Sequence, residues 1–287
     1  MARPPVAVRA AGALGLVAPL LRSRPVLVVS DFDGTLSPIN PDPWGAFIVP
    51  LARRALRRLV SVPGVHVAIL SGRTAADVAG RVRVGGALYL GNHGLERGAL
   101  VRRQRADSMR VATRPSPSIY GDTAERLAAE LPRLITEPWL VVERKAPAVA
   151  FHYRSAPDTL LAGRRVADAV DALDPGRLLV RFPGRRVLEL RPPGVVAKGE
   201  AMAELIAEIQ PRLTLMLGDD RSDALAFAAL RSARDAGTTD GAAIAVQAFA
   251  EAPREVAEAA DVLLAAPVEA ARFLAALARG LRADPAR

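Results

Sequence analysis

The sequence has no cysteine, which removes disulfides, thiolate nucleophiles and cysteine-ligated zinc or iron–sulfur centres in one step. That composition fits a reducing compartment, so a cytoplasmic setting is expected. Aromatic residues make up only 4% of the chain, and the basic-plus-aromatic platforms that stack nucleic-acid bases are missing. The arginines behind the net charge of +9 are spread along helix-like stretches as solvated faces, so nucleic acid is not an expected partner. Lysine is scarcer still: of 39 basic residues only Lys145 and Lys198 are lysines. The apolar run from Ala11 to Leu21 is too short to span a bilayer. No A-x-A cleavage site follows it, so it reads as an N-terminal helix packed on the body, and no membrane partner is expected.

What is present has a rhythm. In 287 residues, short apolar β-rich runs alternate with helical patterns: strand 26–30, helix 51–60, strand 65–70, helix 75–82 and strand 87–90. The pattern returns late, with strands 213–217, 242–246 and 262–264 and helices 223–230, 253–260 and beyond Pro267. Runs buried on both faces predict an α/β body, a Rossmann-like, doubly wound parallel sheet under helices. Between them the pattern turns two-faced. "AVAFHYR" sets Val149, Phe151 and Tyr153 against Ala150, His152 and Arg154, and "LLVRF" and "RVLEL" read as a hairpin turning at Pro183-Gly184. Helices are expected over 122–134 and 158–173. The organisation is thus a body of residues 1–98 and 192–287 with an inserted α+β domain at 99–191. His66, Trp44 and Trp139 read as packing residues. A monomer satisfies this pattern.

The chemistry starts at "VVSDFDGTL", where Asp31 and Asp33 close a buried strand. An Asx turn and helix cap would explain two such acids on their own. A divalent cation explains them better, since it offsets their repulsion, and Mg²⁺ suits carboxylates next to phosphate. Asp31 can then attack phosphorus and carry the phosphoryl group, while Asp33 protonates the leaving alcohol and later takes a proton from water. "ILSGR" ends the next strand, setting Ser71, the Gly72 N–H and Arg73 where phosphate oxygens would lie. Lys198 near a helix start opposes the helix dipole, which a bound phosphate would explain. Asp219, Asp220 and Asp223 form an acid cluster after another strand. Asp219 is a candidate metal ligand with Asp31 and the Asp33 carbonyl. Asp220 and Asp223 stand behind them, Asp223 holding either Lys198 or a metal-bound water.

The order D-x-D-G-T, Ser, Lys, G-D-D-x-x-D resembles the haloacid dehalogenase-type phosphotransferases over 24–96 and 187–265, which implies a HAD-like core with the insertion as a cap. Further segments resemble the trehalose-6-phosphate phosphatases: "LYLGNHGLE", "VERKAPAVAFHYR", "VLELRPPGVVAKGEA" and "GDDRSDALAF". That resemblance implies a Mg²⁺-dependent phosphatase acting on a small-molecule sugar phosphate, trehalose 6-phosphate. Glu143 with Lys145, and His152 with Arg154, share strand faces and suit a polyol. Asn92, His93, Glu96 and Glu189 join them as candidates for sugar recognition. There are departures. Leu225 stands where the family carries an acid, Gln247 where glycine is common, and 37–47 is rich in proline. Two other readings stand beside this one: a phosphatase of another sugar phosphate, such as sucrose phosphate or mannosylglycerate phosphate, or a catalytically silent HAD-like binding protein.

Overall fold

A computed structural model describes residues 7–40, 42–145, 147–184, 186–193, 198–247 and 254–283. The chain runs β1 (Ala7–Val8), α1 (Ala10–Val17), β2 (Val26–Ser30), α2 (Pro50–Leu59), β3 (Val65–Leu70), α3 (Ala75–Val82), β4 (Leu88–Gly91), β5 (Glu96–Ala99) and β6 (Val111–Thr113). Next come α4 (Ser118–Leu134), β7 (Val141–Lys145), β8 (Ala148–His152), α5 (Thr159–Leu173), β9 (Val180–Gly184) and β10 (Val187–Arg191). The last part is α6 (Lys198–Ile209), β11 (Leu213–Gly218), α7 (Arg221–Asp235), β12 (Asp240–Val246), α8 (Arg254–Ala259), β13 (Val262–Leu264) and α9 (Pro267–Ala283). The chain divides into a larger unit, Met1–Thr113 with Val196–Arg287, and an inserted unit, Arg114–Val195.

The larger unit is built on a nine-stranded sheet of order β1-β13-β12-β11-β2-β3-β4-β5-β6. It is parallel from β1 to β4, and β5 and β6 are added antiparallel. The continuous apolar run of β2 is explained by its central place: Val26 and Val28 enter one core, Leu27 and Val29 the other. The first core takes Val17 of α1, Leu56 of α2, Val78 of α3 and Phe273 of α9. The second takes Met202 of α6, Phe227 of α7 and Val256 of α8. Each such buried side chain contributes about 1.5–3 kcal/mol. The N-terminal apolar run forms α1 as expected, with Ala13 and Val17 buried, and the Ala10 N–H donates to Glu269 of α9.

The inserted unit carries a four-stranded antiparallel sheet, β7-β8-β10-β9. One face packs Val149, Phe151, Leu188 and Leu190 on Leu127 and Leu131 of α4 and Val166 and Val170 of α5. Period-two alternation then leaves Glu143, Lys145, Ala150, His152, Glu189 and Arg191 on the other face.

Several expectations are corrected. Residues 99–113, expected in the insertion, carry β6, which pairs with β5 at the edge of the large sheet. Pro183 and Gly184 pair with Leu188 and Val187, so the reversal follows Gly184. Pro183 is tolerated there because β9 is an edge strand. His66 is exposed near the start of β3, and Trp44 is exposed in a 3₁₀ turn at Pro43–Gly45. Trp139 does pack on the inserted core. Arg154 lies past the end of β8, in a turn, and so does not share the strand face of His152. Helix α8 starts at Arg254; Pro253, and Gly194 to Ala197 of the "GVVAKGEA" stretch, lie outside the described residues. Among the described residues no helix is long and apolar enough to cross a membrane.

Candidate active site

The carboxyl ends of β2, β3, β4 and β11 share one edge of the large sheet, and β2 and β11 are neighbours at the point where the chain's winding reverses. In open α/β sheets, ligands meet the protein at this switch point. Asp31 follows β2, Ser71 follows β3, Asn92 follows β4 and Asp219 follows β11. All four are buried. Lys198 reaches the same place from the first position of α6.

Lys198 Nζ donates to Asp31 Oδ1 at 2.7 Å and to Asp223 Oδ1 at 2.8 Å. Asp31, Asp219 and Asp223 each bring a carboxylate oxygen within 4.8 Å of the others. Burial raises the Asp31 carboxyl to about 6 against the pull of Lys198, with Asp220 and Asp33 adding repulsion. Burial likewise holds Asp219 well above the ordinary value, helped by the charges of Asp31, Asp220 and Asp223. Asp223 is raised too, by burial against Lys198. Burial works to lower Lys198, but Asp223 and Asp31 outweigh it and keep the ammonium charged. One lysine among these buried carboxylates leaves an excess of negative charge, and their all-oxygen donor set fits a hard divalent cation. The cluster can therefore hold a metal ion.

Close packing fixes the cluster. Gly34 has φ 80°, and a β-carbon there would overlap the Asp219 carboxylate, so only glycine fits. Thr35 Oγ1 donates to Asp219 Oδ1 at 3.3 Å. Asp220 caps α7, accepting from the Ser222 and Asp223 N–H groups, while Asp223 Oδ2 accepts from the N–H groups of Asp219 and Asp220. This capping box gives two of the acids a structural task beside their charge. Burial works to raise Asp220, yet Lys198 and the Ser222 hydrogen bond hold it well below the usual carboxylate range.

Asp33 is paired with an arginine. Its two oxygens accept from Arg73 Nε at 2.6 Å and Nη2 at 2.8 Å. The Ser71 Oγ accepts from the Arg73 N–H at 3.2 Å, and the Ser71 carbonyl accepts from the His93 N–H at 2.9 Å. Gly72 lies against the His93 ring. Asn92, His93 and Gly94 are left-handed in succession, with φ of 47°, 59° and 111°. Glu96 Oε1 accepts from Asn92 Nδ2 and Oε2 from the Ala75 N–H, both at 2.6 Å. Asn92 Oδ1 is buried without a hydrogen-bond partner among the described residues.

In the inserted unit, Lys145 Nζ lies 3.3 Å from Glu143 Oε2 and 3.7 Å from Glu189 Oε1. His152 Nε2 is 2.9 Å from Glu143 Oε2, so this nitrogen carries the proton and donates. Arg191 Nη2 donates to Glu189 Oε2 at 2.8 Å, its guanidinium 4.4 Å from the Phe182 ring centroid. Burial works to lower Lys145, but Glu189 and Glu143 raise it. Burial works to raise Glu143, and the His152 hydrogen bond and Lys145 outweigh it. Four of the expected sugar-binding residues, Glu143, Lys145, His152 and Glu189, thus form one charged patch. Arg191 is absent from the residues expected above, although its two-residue spacing from Glu189 carries the signal.

A trehalose-phosphatase family model matches residues 29–262. The chain is 35% identical over 281 residues to the trehalose-phosphate phosphatase of Mycobacterium tuberculosis (strain ATCC 25618 / H37Rv), covering 96% of this chain and 66% of that protein. It is 38% identical over 263 residues to the trehalose-phosphate phosphatase of Mycobacterium avium (strain 104), covering 90% of this chain and 63% of that one. The chain therefore spans about two-thirds or slightly less of these relatives' length. The fold is also that of the C. albicans trehalose-6-phosphate phosphatase C-terminal domain, with TM-score 0.73 and 23% identity over 97% of this chain and 99% of that one. The chain belongs to the trehalose-phosphatase family.

Proposed function

We propose that the chain is a Mg²⁺-dependent phosphoric monoester hydrolase that releases phosphate from trehalose 6-phosphate through an aspartyl phosphate on Asp31. The observation that carries this reading is the buried contact of Lys198 with Asp31 and Asp223, beside Asp219. A stability reason for one lysine among these acids is hard to find, because burying unbalanced charge is costly. The names of the mycobacterial relatives support the choice of substrate.

An Asp31 oxygen attacks phosphorus as the bond to the sugar oxygen breaks, and Asp33, in its protonated form, gives the departing alkoxide its proton. Ser71, the Gly72 N–H and Lys198 hold the oxygens of the transferring group. Water then attacks phosphorus, Asp33 takes its proton, and the bond to Asp31 breaks to release phosphate. Asp31, Asp219, Asp223 and the Asp33 carbonyl are the groups that would hold Mg²⁺, which supplies charge neutralisation for the phosphoryl oxygens. The inserted unit serves as a cap, with Glu143, Lys145, His152, Glu189 and Arg154 reading the sugar hydroxyls and Asn92 and His93 bordering the phosphate. Such a cap admits substrate and excludes bulk water.

Phosphate release from a panel of sugar phosphates, with Mg²⁺ or with chelator, tests the substrate and the ion together. Trehalose 6-phosphate should be the best substrate, and chelation should abolish turnover. Asp31→Asn should lose release by about a thousandfold or more while the protein still folds. Release that survives this substitution ends the covalent mechanism.

A further inference from the structure

Arg73 sits where a phosphate- or sugar-binding arginine is expected, yet its guanidinium is directed at the protein. Nε and Nη2 go to both oxygens of Asp33, and Nη1 goes to Asp77 Oδ2 at 3.0 Å. The guanidinium also lies over the Phe32 ring, 5.5 Å from its centroid. The main chain is held as well: the Arg73 N–H donates to Ser71 Oγ, and its carbonyl accepts from the Asn92 N–H at 2.8 Å. Asp77 in turn accepts from Arg81 Nε at 2.9 Å and 2.8 Å. Arg81 Nη1 donates to the carbonyls of Trp44 and Ala46, at 3.0 Å and 2.8 Å. Charges of alternating sign thus run Asp33, Arg73, Asp77, Arg81 and end on the backbone of the loop before α2.

The chemistry of Asp33 makes this arrangement informative. Its side chain is 36% exposed, whereas that of Arg73 is 10% exposed. A carboxylate at the solvent edge has freedom to swing, and freedom at a proton-transferring group costs rate. A planar guanidinium gripping both oxygens fixes the plane and direction of the carboxylate, which an ammonium cannot do. Both oxygens accept, so the pair is formed with the ionised carboxylate, the form that receives a proton.

Resting on the covalent mechanism proposed above, we infer that Arg73 is a positioning residue for the second half of the reaction. It holds the Asp33 carboxylate to take the proton of the water that hydrolyses the aspartyl phosphate, with Asp77 and Arg81 as its buttress. In that step the water oxygen bonds to phosphorus, its proton passes to Asp33, and the phosphorus–oxygen bond to Asp31 breaks with its electron pair returning to Asp31.

The test compares Arg73→Lys and Asp77→Asn with the wild type on trehalose 6-phosphate and on 4-nitrophenyl phosphate, following the pre-steady-state release of nitrophenol. In Arg73→Lys, steady-state kcat should fall by about tenfold or more on both substrates, and KM should fall with it, so that kcat/KM stays within about twofold. The nitrophenol burst should persist, with an amplitude approaching the enzyme concentration, because the phosphoenzyme then accumulates. Asp77→Asn should show the same split with a smaller fall. A raised KM for the sugar phosphate at unchanged kcat would make Arg73 a substrate contact and overturn the inference. So would a burst and steady state that fall together, or an Asp77→Asn enzyme with no split. Asp31→Asn runs alongside: phosphate release from it defeats the covalent mechanism itself, whereas an inactive Asp31→Asn with an unsplit Arg73→Lys defeats only the role of Arg73.

Discussion

The acid cluster of the larger unit and the charged patch of the inserted unit each centre on a buried lysine among carboxylates, but they are tied differently. Around Lys198 the contacts are direct, at 2.7 Å and 2.8 Å, and the acids are braced by a capping box and by the bare backbone of Gly34. Around Lys145 the ammonium lies 3.3 Å and 3.7 Å from its two carboxylates. There, His152 Nδ1 and Arg191 Nε are buried with no hydrogen-bond partner among the described residues. The first arrangement suits chemistry, where preorganised charge stabilises a transition state without rearranging. The second suits recognition, since buried polar atoms left short of partners gain from a ligand that brings hydroxyl groups, which can both donate and accept.

Removing each lysine in turn tests this contrast most severely. Lys198→Ala leaves Asp31 and Asp223 buried without their cation, at a cost of about 3–5 kcal/mol by denaturant unfolding, and phosphate release should vanish. Lys145→Ala should cost less stability, because Glu143 keeps His152 and Glu189 keeps Arg191. Its main effect should be on KM, up about tenfold or more for trehalose 6-phosphate and little changed for an aryl phosphate. If Lys145→Ala proves the less stable variant, or raises KM equally for both substrates, the two clusters do not differ in the way described.

The smallest effect is one of sign. Asp31 is raised by burial from 3.8 to about 6, so its contribution to stability is complete below 3.8 and lost as the pH rises through about 6. Glu143 is held below its ordinary value of 4.5 because His152 and Lys145 outweigh burial, so its contribution is present above 4.5 and lost as the pH falls. In metal-free protein, Asp31→Asn should flatten the decline in stability between about pH 4 and 6, and Glu143→Gln should flatten the fall on the acid side. Stability profiles displaced in the same direction by both substitutions would remove the contrast.

Much of this architecture is legible in the sequence where one signal dominates. The run "VLVVS" admits only a strand buried on both faces, and the helix expected over 75–82 is α3 to the residue. Strands β5 and β6 are harder, because "ERGA" and "VAT" are too short and too polar to carry a period, and their pairing comes from the neighbouring chain. Helix α7 was expected from Asp223 but starts at Arg221, since Asp220 is its cap; the D-x-x-D spacing signals this, although the same acids also read as one charged cluster. The candidate site follows the same division. Asp31, Lys198 and Asp219 follow from acids and a lysine at element ends. The Asp33–Arg73 step of the ladder joins positions 40 residues apart that only the fold brings together, whereas Arg73 and Asp77 stand four residues apart.

Glu96 has a quieter consequence. Helix beginnings commonly fray, because their first amides lack partners within the helix. The opening amide of α3 is instead clasped by a carboxylate from β5, a separate strand of the sheet, and the loop carrying Ser71 leads directly into that helix. Breathing at this edge is thereby tied to opening of the sheet itself, so the Ala75 amide should exchange its hydrogen for deuterium at the slow pace of a strand interior.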